Sequence, residues 1–415
     1  MTSFEEFLAA ELRIASAPPR PLARGECQSP SGRRCGLCYA MTLEYAVESA
    51  GRDRAAGAFW KSLGTPAPCA PLVRSPRGRQ YRTVSKRKAY HGRSGLRLCF
   101  VGPADNPPPG GIAVETCAIE PSGHAPIYRV IEEVLLLPLS APLREALLYA
   151  VIKGNYREQT VILNVAQITP ALVRSANTLS RALTKRLGEA IAGVFLFEGD
   201  AEARYYLLAR EKSRVAEARK LFGRKELFVR VDGRSFLYPP LSFSQVNESL
   251  LDQFVAGARE LLAPARAQTL YDLYCGYGVF ALSLAPAVHA VLGVEAAHLS
   301  VAAAVANARR QHAAHARFIR AVINEDTIGK LLQKSPPRSL VLLDPPRGGT
   351  AEGVIEAIAE RHPARVLHIF CNMEILRGEL QRWDRAGYAP TRAVPFDMFP
   401  GTADLEMMVL LESRS

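Results

Sequence analysis

The spacing of apolar and polar positions changes near residue 246. Beyond it, short apolar runs alternate with stretches of helical spacing, which is typical of a doubly wound, mostly parallel sheet. Two later runs, 388–396 and 405–413, have no helix between them and predict a terminal hairpin. We therefore expect an α/β domain here. Its predicted parallel strands are TLYDLY (269–274), AVLGVE (290–295), SLVLLD (339–344) and RVLHIF (365–370).

The preceding half of the chain has a different pattern, which predicts α+β structure. Helical spacing covers 39–50 and 171–189, and 126–150 predicts two helices separated by a proline break. The segment 103–111 predicts a loop, because its prolines lack N–H donors and its glycines permit positive φ. The predicted strands are LRLCFVG (96–102), TVILNVA (160–166), GVFLFEG (193–199), RYYLLAR (204–210) and ELFVRV (226–231).

The length of 415 residues favours two or three domains. We expect a cysteine-rich, basic region over 1–125, a central α+β domain over 126–245 and the α/β domain over 246–415. The composition is that of a soluble globular chain. No run of 18 apolar residues predicts a membrane span, and the N-terminus lacks the pattern of a secretory signal. We therefore expect a cytoplasmic monomer without a membrane partner.

The net charge of +12 is concentrated in the first half of the chain. Residues 1–245 contain 35 Lys and Arg against 22 Asp and Glu, whereas 246–415 contain 17 against 18. The segment richest in basic residues has no acid and nine bases, namely Arg74, Arg77, Arg79, Arg82, Lys86, Arg87, Lys88, Arg93 and Arg97. A segment of this kind attracts phosphate backbones, although a solvated basic loop has the same composition.

A candidate cofactor site follows the first strand of the α/β domain. That strand contains Asp272, and Gly276 and Gly278 precede the next helix, where glycines let the backbone approach a ligand. Glu295 ends the next strand, at a position where an acid commonly accepts hydrogen bonds from ribose hydroxyls. Ala281 stands where the third glycine of G-x-G-x-x-G would fall, which argues against a standard NAD site.

Three residues near later strand ends are candidates for chemistry. Asp344 begins DPPRGG, whose prolines stiffen the loop. Cys371 ends a strand just before a predicted helix, where N–H groups favour a thiolate, although an inert buried cysteine is the commoner case. Glu406 enters an apolar strand, where burial raises the pKa of a carboxyl and suits it to act as a general base. Alone, Glu406 is equally consistent with a charge at a strand edge.

Three cysteines, Cys27, Cys35 and Cys38, lie within twelve residues. In a cytoplasmic protein this spacing indicates metal binding or catalysis in preference to disulfides. Zinc and an iron–sulfur cluster both fit the spacing.

Together these segments resemble the bacterial RNA uracil-5-methyltransferases, most closely the 23S rRNA enzymes without an N-terminal TRAM domain. The resemblance extends from about residue 25 to the end, and the order of its segments makes it specific. The segments are C-x7-C-x2-C at 27–38, YRTVSK (81–86), SFSQVN (242–247), DLYCGYGVF (272–280), DPPRGG (344–349), FCN (370–372) and FDMFPGT with LE (396–406).

The resemblance implies a Rossmann-like class I methyltransferase domain that follows an N-terminal iron–sulfur and α+β RNA-binding region. Cys371 matches the nucleophile and Glu406 the base. Cys27, Cys35, Cys38 and, by position, Cys117 match the ligands of a [4Fe–4S] cluster, for which we expect a structural role. The positions that match the pocket for S-adenosylmethionine and the target base are Gln245, Tyr274, Gly276, Glu295 and Asp344.

The implied reaction explains why these residue types are needed. C5 of uracil is a poor nucleophile, but addition of a thiolate at C6 places negative charge on C5 and O4. C5 then takes the methyl group, and a base removes the C5 proton so that the thiolate leaves. The target uridine is expected to leave its stack to reach Cys371.

Alternatives remain at this point. The RNA is expected to be ribosomal in preference to transfer RNA. An N- or O-directed methyltransferase with a structural Cys371 and a non-catalytic iron–sulfur RNA-binding protein are the competing functions. The chain also departs from the family at Phe370, where Ser is usual, and at Gly401 and Asp404, which replace two histidines.

Overall fold

A computed structural model describes residues 3–14, 19–29, 32–92, 95–102, 110–199, 218–332 and 339–414. The helices are α1 (Phe4–Ile14), α2 (Tyr45–Ser62), α3 (His124–Leu135), α4 (Ala141–Ala146), α5 (Pro170–Leu187), α6 (Leu251–Leu262), α7 (Val279–Leu284), α8 (His298–Arg310), α9 (Glu325–Leu332), α10 (Val354–Ala359) and α11 (Met373–Arg385).

The strands form three sheets of seven, six and two strands within the described residues. They are β1 (Val84–Gly92), β2 (Gly95–Cys99), β3 (Leu147–Gly154), β4 (Gln159–Val165), β5 (Ile191–Glu198), β6 (Arg219–Gly223), β7 (Leu227–Val231), β8 (Arg234–Tyr238), β9 (Thr269–Leu273), β10 (Ala290–Glu295), β11 (Ala316–Arg320), β12 (Leu340–Leu343), β13 (Arg365–Phe370), β14 (Tyr388–Phe396) and β15 (Glu406–Ser413).

The seven-stranded sheet has the order β11-β10-β9-β12-β13-β15-β14. Strands β9 to β13 pair in parallel, and β15 inserts antiparallel between β13 and β14. The apolar runs become central strands because helices bury both faces; every residue of β12 is buried. The predicted α/β methyltransferase fold and its terminal hairpin are confirmed. Strand β11 was not predicted, because the edge sequence ARFIR carries two arginines.

The six-stranded sheet has the order β2-β1-β3-β4-β5-β6. Helices α3 and α5 cover one of its faces with an apolar core. Helix α5 begins where predicted, because Thr169 caps it by accepting a hydrogen bond from Leu172 N at 3.2 Å and Pro170 occupies its first turn. Strands β1 and β2 precede residue 125, so this sheet draws on both of the first two expected regions.

The N-terminal helices pack on the seven-stranded sheet. Ser3 and Glu6 form a reciprocal capping box at the start of α1, with hydrogen bonds of 2.7 and 3.1 Å. Phe4, Phe59 and Trp60 then join the core beneath β12 and β13. The hairpin β7–β8 likewise packs against α6. Elements from the first and second expected regions therefore pack on elements of the third, and the division at 125 and 245 stays a prediction.

Several elements begin or end elsewhere than expected. The helix predicted at 39–50 begins at Tyr45 and continues to Ser62, and the second helix of 126–150 gives way to β3 at Leu147. The run 204–210 and residues 103–109 of the predicted loop lie outside the described residues. None of the described helices combines the length and the apolar character needed to cross a bilayer.

Candidate active site

A cavity of about 740 Å³ lies where the N-terminal region, the six-stranded sheet and the seven-stranded sheet meet. It brings together residues that are far apart in the sequence. Seven of the eleven site residues predicted from the sequence line it, namely Cys27, Cys35, Cys38, Cys117, Gln245, Cys371 and Glu406.

Cys371 and Glu406 face each other across adjacent strands. Phe370 pairs with Met407 at the end of the antiparallel β13–β15 ladder, so the next position of the same register places Cys371 opposite Glu406. Directly opposed residues project to the same face of a sheet. The sheet register therefore joins the predicted nucleophile to the predicted base.

The surroundings of Cys371 keep its thiol protonated. Burial, the carboxyl of Glu406 and the carboxyl of Asp344 raise the pKa of Cys371 to about 12, against a lowering by Arg347. The sulfur lies 4.0 Å from the carbonyl oxygen of Pro345. Helix α11 begins two residues later, as predicted, but the thiolate expected from its N–H groups is outweighed by burial and the two carboxyls.

Glu406 is buried, with 3% of its surface exposed. Burial, Asp344 and Asp404 raise its pKa well above the ordinary value, and Arg347 opposes them. One carboxyl oxygen, Oε2, has no hydrogen-bond partner among the described residues. Buried polar groups are usually paired, so this oxygen is available to exchange a proton with a molecule in the cavity.

Phe370 does not face the cavity. It is almost fully buried in the core on the other side of β13, where its ring stacks on His368 at a centroid distance of 4.0 Å. Neighbouring residues of a strand point to opposite faces, so Phe370 and Cys371 meet different surroundings. The departure from Ser at this position therefore changes the core and leaves the face that carries Cys371 unaltered.

The structure gives a separate account of Gly401 and of Asp404, the two positions where the family usually has histidine. Gly401 has φ of +88°, and a Cβ there would lie 2.9 Å from Cβ of Ala40 and 3.2 Å from Cγ2 of Ile119. Its N–H donates to Glu48 and its carbonyl accepts from Tyr39 N at 2.6 Å. Asp404 forms an ion pair with Arg347 at the cavity wall. A histidine at 401 would collide with the N-terminal region.

The predicted cofactor residues lie at the carboxyl edge of the seven-stranded sheet. Gly276 N donates to Oε2 of Glu295 at 3.1 Å, which joins the loop after β9 to the end of β10. Tyr274 has φ of +66° at the turn that leaves β9. Asp344 N donates to Leu273 O at 3.3 Å, so the DPPRGG loop adjoins this edge. These contacts position the residues; their roles toward a cofactor stay predictions.

Two carboxyls lie at this edge, the buried Asp272 and the half-buried Asp344. Asp272 accepts a hydrogen bond from Ala281 N at 2.8 Å, and burial raises its pKa to about 8. Burial raises the pKa of Asp344 to about 7. Asp344 also raises the pKa values of Cys371 and Glu406, so it lies within electrostatic reach of both.

Backbone hydrogen bonds link the segments that carry three of the four predicted cluster cysteines, Cys27, Cys35 and Cys117. Cys35 N donates to Cys27 O at 2.8 Å, and Cys27 N donates to Thr116 O at 2.9 Å, next to Cys117. Burial raises the pKa of each thiol, that of Cys38 to about 11. Across the part of the chain that the structure describes, no three His, Cys, Asp or Glu side chains are grouped to hold a single metal ion.

The basic segment 74–97 divides into internal and cavity-facing residues. Arg87 is buried and pairs with Glu120 through two hydrogen bonds of 2.6 and 2.7 Å, so it is not available to RNA. Arg79 pairs with Glu48 at 2.8 Å. Arg82, Lys86 and Lys88 line the cavity. Arg93 lies outside the described residues.

Sequence reasoning missed the network that holds the loop before Glu406. Arg52 is fully buried, pairs with Asp397 at 2.9 Å and donates to the carbonyls of Thr402 and Asp404. The i,i+4 spacing of Glu48 and Arg52 was a visible signal of an ion pair, but such spacing usually indicates a solvated helix face.

A family model described as tRNA (Uracil-5-)-methyltransferase matches residues 206–414. The chain is 30% identical to RlmD of Aeromonas salmonicida, a 23S rRNA (uracil(1939)-C(5))-methyltransferase, over 92% of this chain and 81% of that protein. It is 36% identical to an uncharacterized RNA methyltransferase of Thermosynechococcus vestitus, over 47% of this chain and 43% of that protein. The match thus spans less than half the length of the Thermosynechococcus relative.

Among solved structures, the fold is similar to that of the Pyrococcus abyssi tRNA (uracil-54, C5)-methyltransferase in complex with S-adenosyl-L-homocysteine. The TM-score is 0.65, and the likeness covers 91% of this chain and 87% of the other. At 19% identity, the likeness is one of fold.

Proposed function

Because the chain belongs to the RNA uracil-5-methyltransferase family, we propose that it methylates C5 of a uridine in RNA. The observation that carries this proposal is the register that sets Cys371 opposite Glu406 in one cavity. An N- or O-directed methyltransferase has no need of a thiol facing a buried carboxyl. A non-catalytic RNA-binding protein needs neither.

In the proposed reaction, the Cys371 thiol releases its proton to solvent in the open cavity as its sulfur adds to C6 of the uracil. The C5–C6 double bond opens, and negative charge develops on C5 and O4. S-adenosylmethionine, when bound, supplies the methyl group to C5. Glu406 then takes the C5 proton on its unpartnered oxygen, the C5–C6 double bond re-forms, and the sulfur of Cys371 leaves. The raised pKa of Glu406 suits it to this proton transfer near neutral pH.

We assign Tyr274, Gly276, Glu295 and Asp344 to the cofactor side of the site. Their place at the carboxyl ends of β9, β10 and β12 is the usual ligand-binding edge of such a sheet. Gln245 lines the cavity with Cys371, which assigns it to the target base.

The proposed substrate is 23S ribosomal RNA. The support is the RlmD relative, which aligns with 92% of this chain. Transfer RNA is the alternative, on the description of the family model. Mapping 5-methyluridine in both RNAs of a deletion strain distinguishes them: loss from 23S rRNA is expected, and loss from tRNA alone contradicts the proposal.

We also propose that Cys27, Cys35, Cys38 and Cys117 hold a [4Fe–4S] cluster. The four thiols adjoin one cavity wall, and Cys27, Cys35 and Cys38 pack with Ala40 and Ala118 in a small apolar cluster. Cubane ligands bind four different irons and need not converge on one point, whereas zinc ligands do.

Iron and sulfide analysis of protein purified without oxygen tests the cluster. About four of each per chain are expected, and these should fall sharply in Cys38→Ser. Cys69→Ser is the matched control, since Cys69 is half-buried and does not line the cavity. Stoichiometric zinc in a colourless protein contradicts the proposal.

Methylation assays test the main proposal. Cys371→Ala is expected to abolish formation of 5-methyluridine while binding of S-adenosylmethionine, measured by calorimetry, persists. Cys275→Ala is the matched control, because that cysteine also follows a strand of the seven-stranded sheet but does not line the cavity. Retained turnover in Cys371→Ala contradicts covalent catalysis and favours an N- or O-directed enzyme.

A further inference from the structure

One face of the six-stranded sheet presents lysines to the cavity. In the β1–β3 ladder, Lys153 pairs with Val84, and two further positions of the same register pair Lys86 with Val151 and Lys88 with Tyr149. Paired and alternate residues share a face. Lys86, Lys88 and Lys153 all line the cavity that contains Cys371.

Lys153 differs from the other two because it is buried. Only 2% of its surface is exposed, and burial lowers its pKa to about 7. Nζ donates to the carbonyl oxygen of Ser242 at 2.5 Å and lies 5.6 Å from the centre of the Tyr238 ring. Among the described residues, it forms no ion pair.

A buried ammonium group without a carboxylate partner is costly to the fold. Elsewhere in the chain the buried cations are paired: Arg52 has Asp397 and Arg87 has Glu120. Lys153 therefore differs from these two buried arginines in having no carboxylate partner among the described residues. This difference indicates that an anion from outside the protein completes the site.

We propose that Lys153, together with Arg82 and Lys86, binds a backbone phosphate of the RNA next to the target uridine. This inference rests on the proposed function, in which a base enters the same cavity to reach Cys371. A phosphodiester is attached to such a base through the ribose, so it is the anion that comes with the base. On the other side of the cavity Arg347 is already paired with Asp404, which leaves the lysine-bearing face as the place for a phosphate.

The bond to Ser242 adds a geometric reason. Ser242 is three residues before Gln245, which also lines the cavity. Arg82 adjoins the other end of this segment, because the next residue, Thr83, donates its N–H to Val246 O at 2.8 Å. Cationic residues therefore adjoin the segment that carries Gln245 near both of its ends. A phosphate held by them would place the attached nucleotide near this segment.

Binding of a labelled twelve-residue oligouridine, measured by fluorescence anisotropy over a range of salt concentrations, tests the proposal. Lys153→Met is expected to weaken binding about 10- to 100-fold, as for loss of one charge-assisted hydrogen bond. The slope of log Kd against log salt should fall by about 0.7, the value for one phosphate contact of a single strand. Lys153→Arg should retain most of the slope.

Lys225→Met is the matched control, because it removes the same charge from an exposed position that does not line the cavity. If Lys153→Met binds oligouridine with the affinity and slope of this control while its Tm is native, the proposal is wrong. Weakened binding of S-adenosylmethionine with unchanged RNA binding also overturns it, since Lys153 would then serve the cofactor's carboxylate.

Two further measurements keep the test decisive. If Lys153→Met does not fold, Arg82→Gln combined with Lys86→Met should lower the slope, and an unchanged slope refutes the phosphate site. If the wild-type protein forms no 5-methyluridine, the proposed function is wrong, but this result does not test the phosphate site. The RNA-binding comparison does not depend on turnover and can still be read in that case.

Discussion

Cys371 and Glu406 occupy opposed positions of two antiparallel strands, although 34 residues separate them in the sequence. The pairing of Phe370 with Met407 sets this register. The two strands pair because β15 lies between β13 and β14 in the sheet. Burial and nearby carboxyls shift both groups toward their protonated forms, and Glu406 itself is one of the carboxyls that raise the pKa of Cys371. A thiol and a carboxyl held in this way are suited to react in sequence on one bound ring.

Glu406→Gln is expected to trap the RNA on the protein. The amide cannot accept the C5 proton, so the bond between Cys371 and C6 persists after methyl transfer. A band of RNA-linked protein should be visible on denaturing gels. Cys371→Ser combined with Glu406→Gln is the control and should give no such band. Free RNA alone with Glu406→Gln would mean that another group removes the proton.

Asp344→Asn should make the Cys371 thiol more reactive. Asp344 carries negative charge above its pKa of about 7, and that charge raises the pKa of Cys371. Removing that charge should lower the pKa of the Cys371 thiol by up to about one unit. At pH 8.5 the thiolate fraction, and with it the rate of iodoacetamide alkylation, should therefore rise about three- to tenfold. The wild-type rate should still increase beyond pH 9, where an ordinary thiol levels off. The alkylation rate of Cys69, measured in the same sample, is the reference. An unchanged rate at Cys371 would show that Asp344 does not influence the pKa of its thiol.

Arg52→Met should both destabilise the fold and slow catalysis. It leaves the Asp397 carboxyl buried without its cation and removes one of the two arginines beside Glu48, which costs about 3–5 kcal/mol of unfolding free energy. The carbonyls of Thr402 and Asp404 also lose their donor, so kcat should fall while KM for RNA stays near its wild-type value.

The neighbouring Arg54→Met is the control, because Arg54 pairs with Glu11 at the surface and contributes about 0–1 kcal/mol. Equal denaturation midpoints for the two variants, measured in urea, would show that the buried network does not stabilise the protein.

Gly401→Ala is expected to lower stability by about 1–2 kcal/mol, because a side chain at positive φ is strained and its Cβ would press on Ala40. Gly378→Ala provides the opposite result from the same chemical change. Gly378 lies in α11 with open space around the added methyl group, and alanine there should stabilise by about 0.5–1 kcal/mol. Thermal unfolding of the two variants measures the difference. A change in stability of the same sign in both variants would contradict the close packing at Gly401.

Phe243→Ala should weaken RNA binding by about 1–3 kcal/mol, the contribution of one stacked base. Phe243 is 62% exposed and lines the cavity, so its ring is accessible to a base that enters there. Phe222, at 42% exposure on the edge strand β6, provides the control Phe222→Ala. Comparable affinities of both variants for oligouridine would argue against stacking.

The sequence predicted the seven-stranded domain well because each central strand is a short apolar run bounded by loop residues. A run such as LVLL can be buried on both faces only within a parallel sheet. The sequence was less informative where strands carry charge. Strand β1 was taken as part of a basic segment, because its lysines alternate with residues that face the core. Charge alone does not distinguish a solvated loop from one face of a strand.

The residue types at the candidate site were determined by the sequence itself: a thiol and a carboxyl near strand ends, glycines at the cofactor turn and four of the six cysteines in the first 117 residues. Only the tertiary structure decided which of them meet. Strand register placed Cys371 opposite Glu406, and alternation along β13 turned Phe370 into the core. Burial decided that Arg87 is used within the fold while Lys153 is left for a ligand. Register and burial depend on contacts between segments far apart in the chain, and local sequence patterns do not specify them.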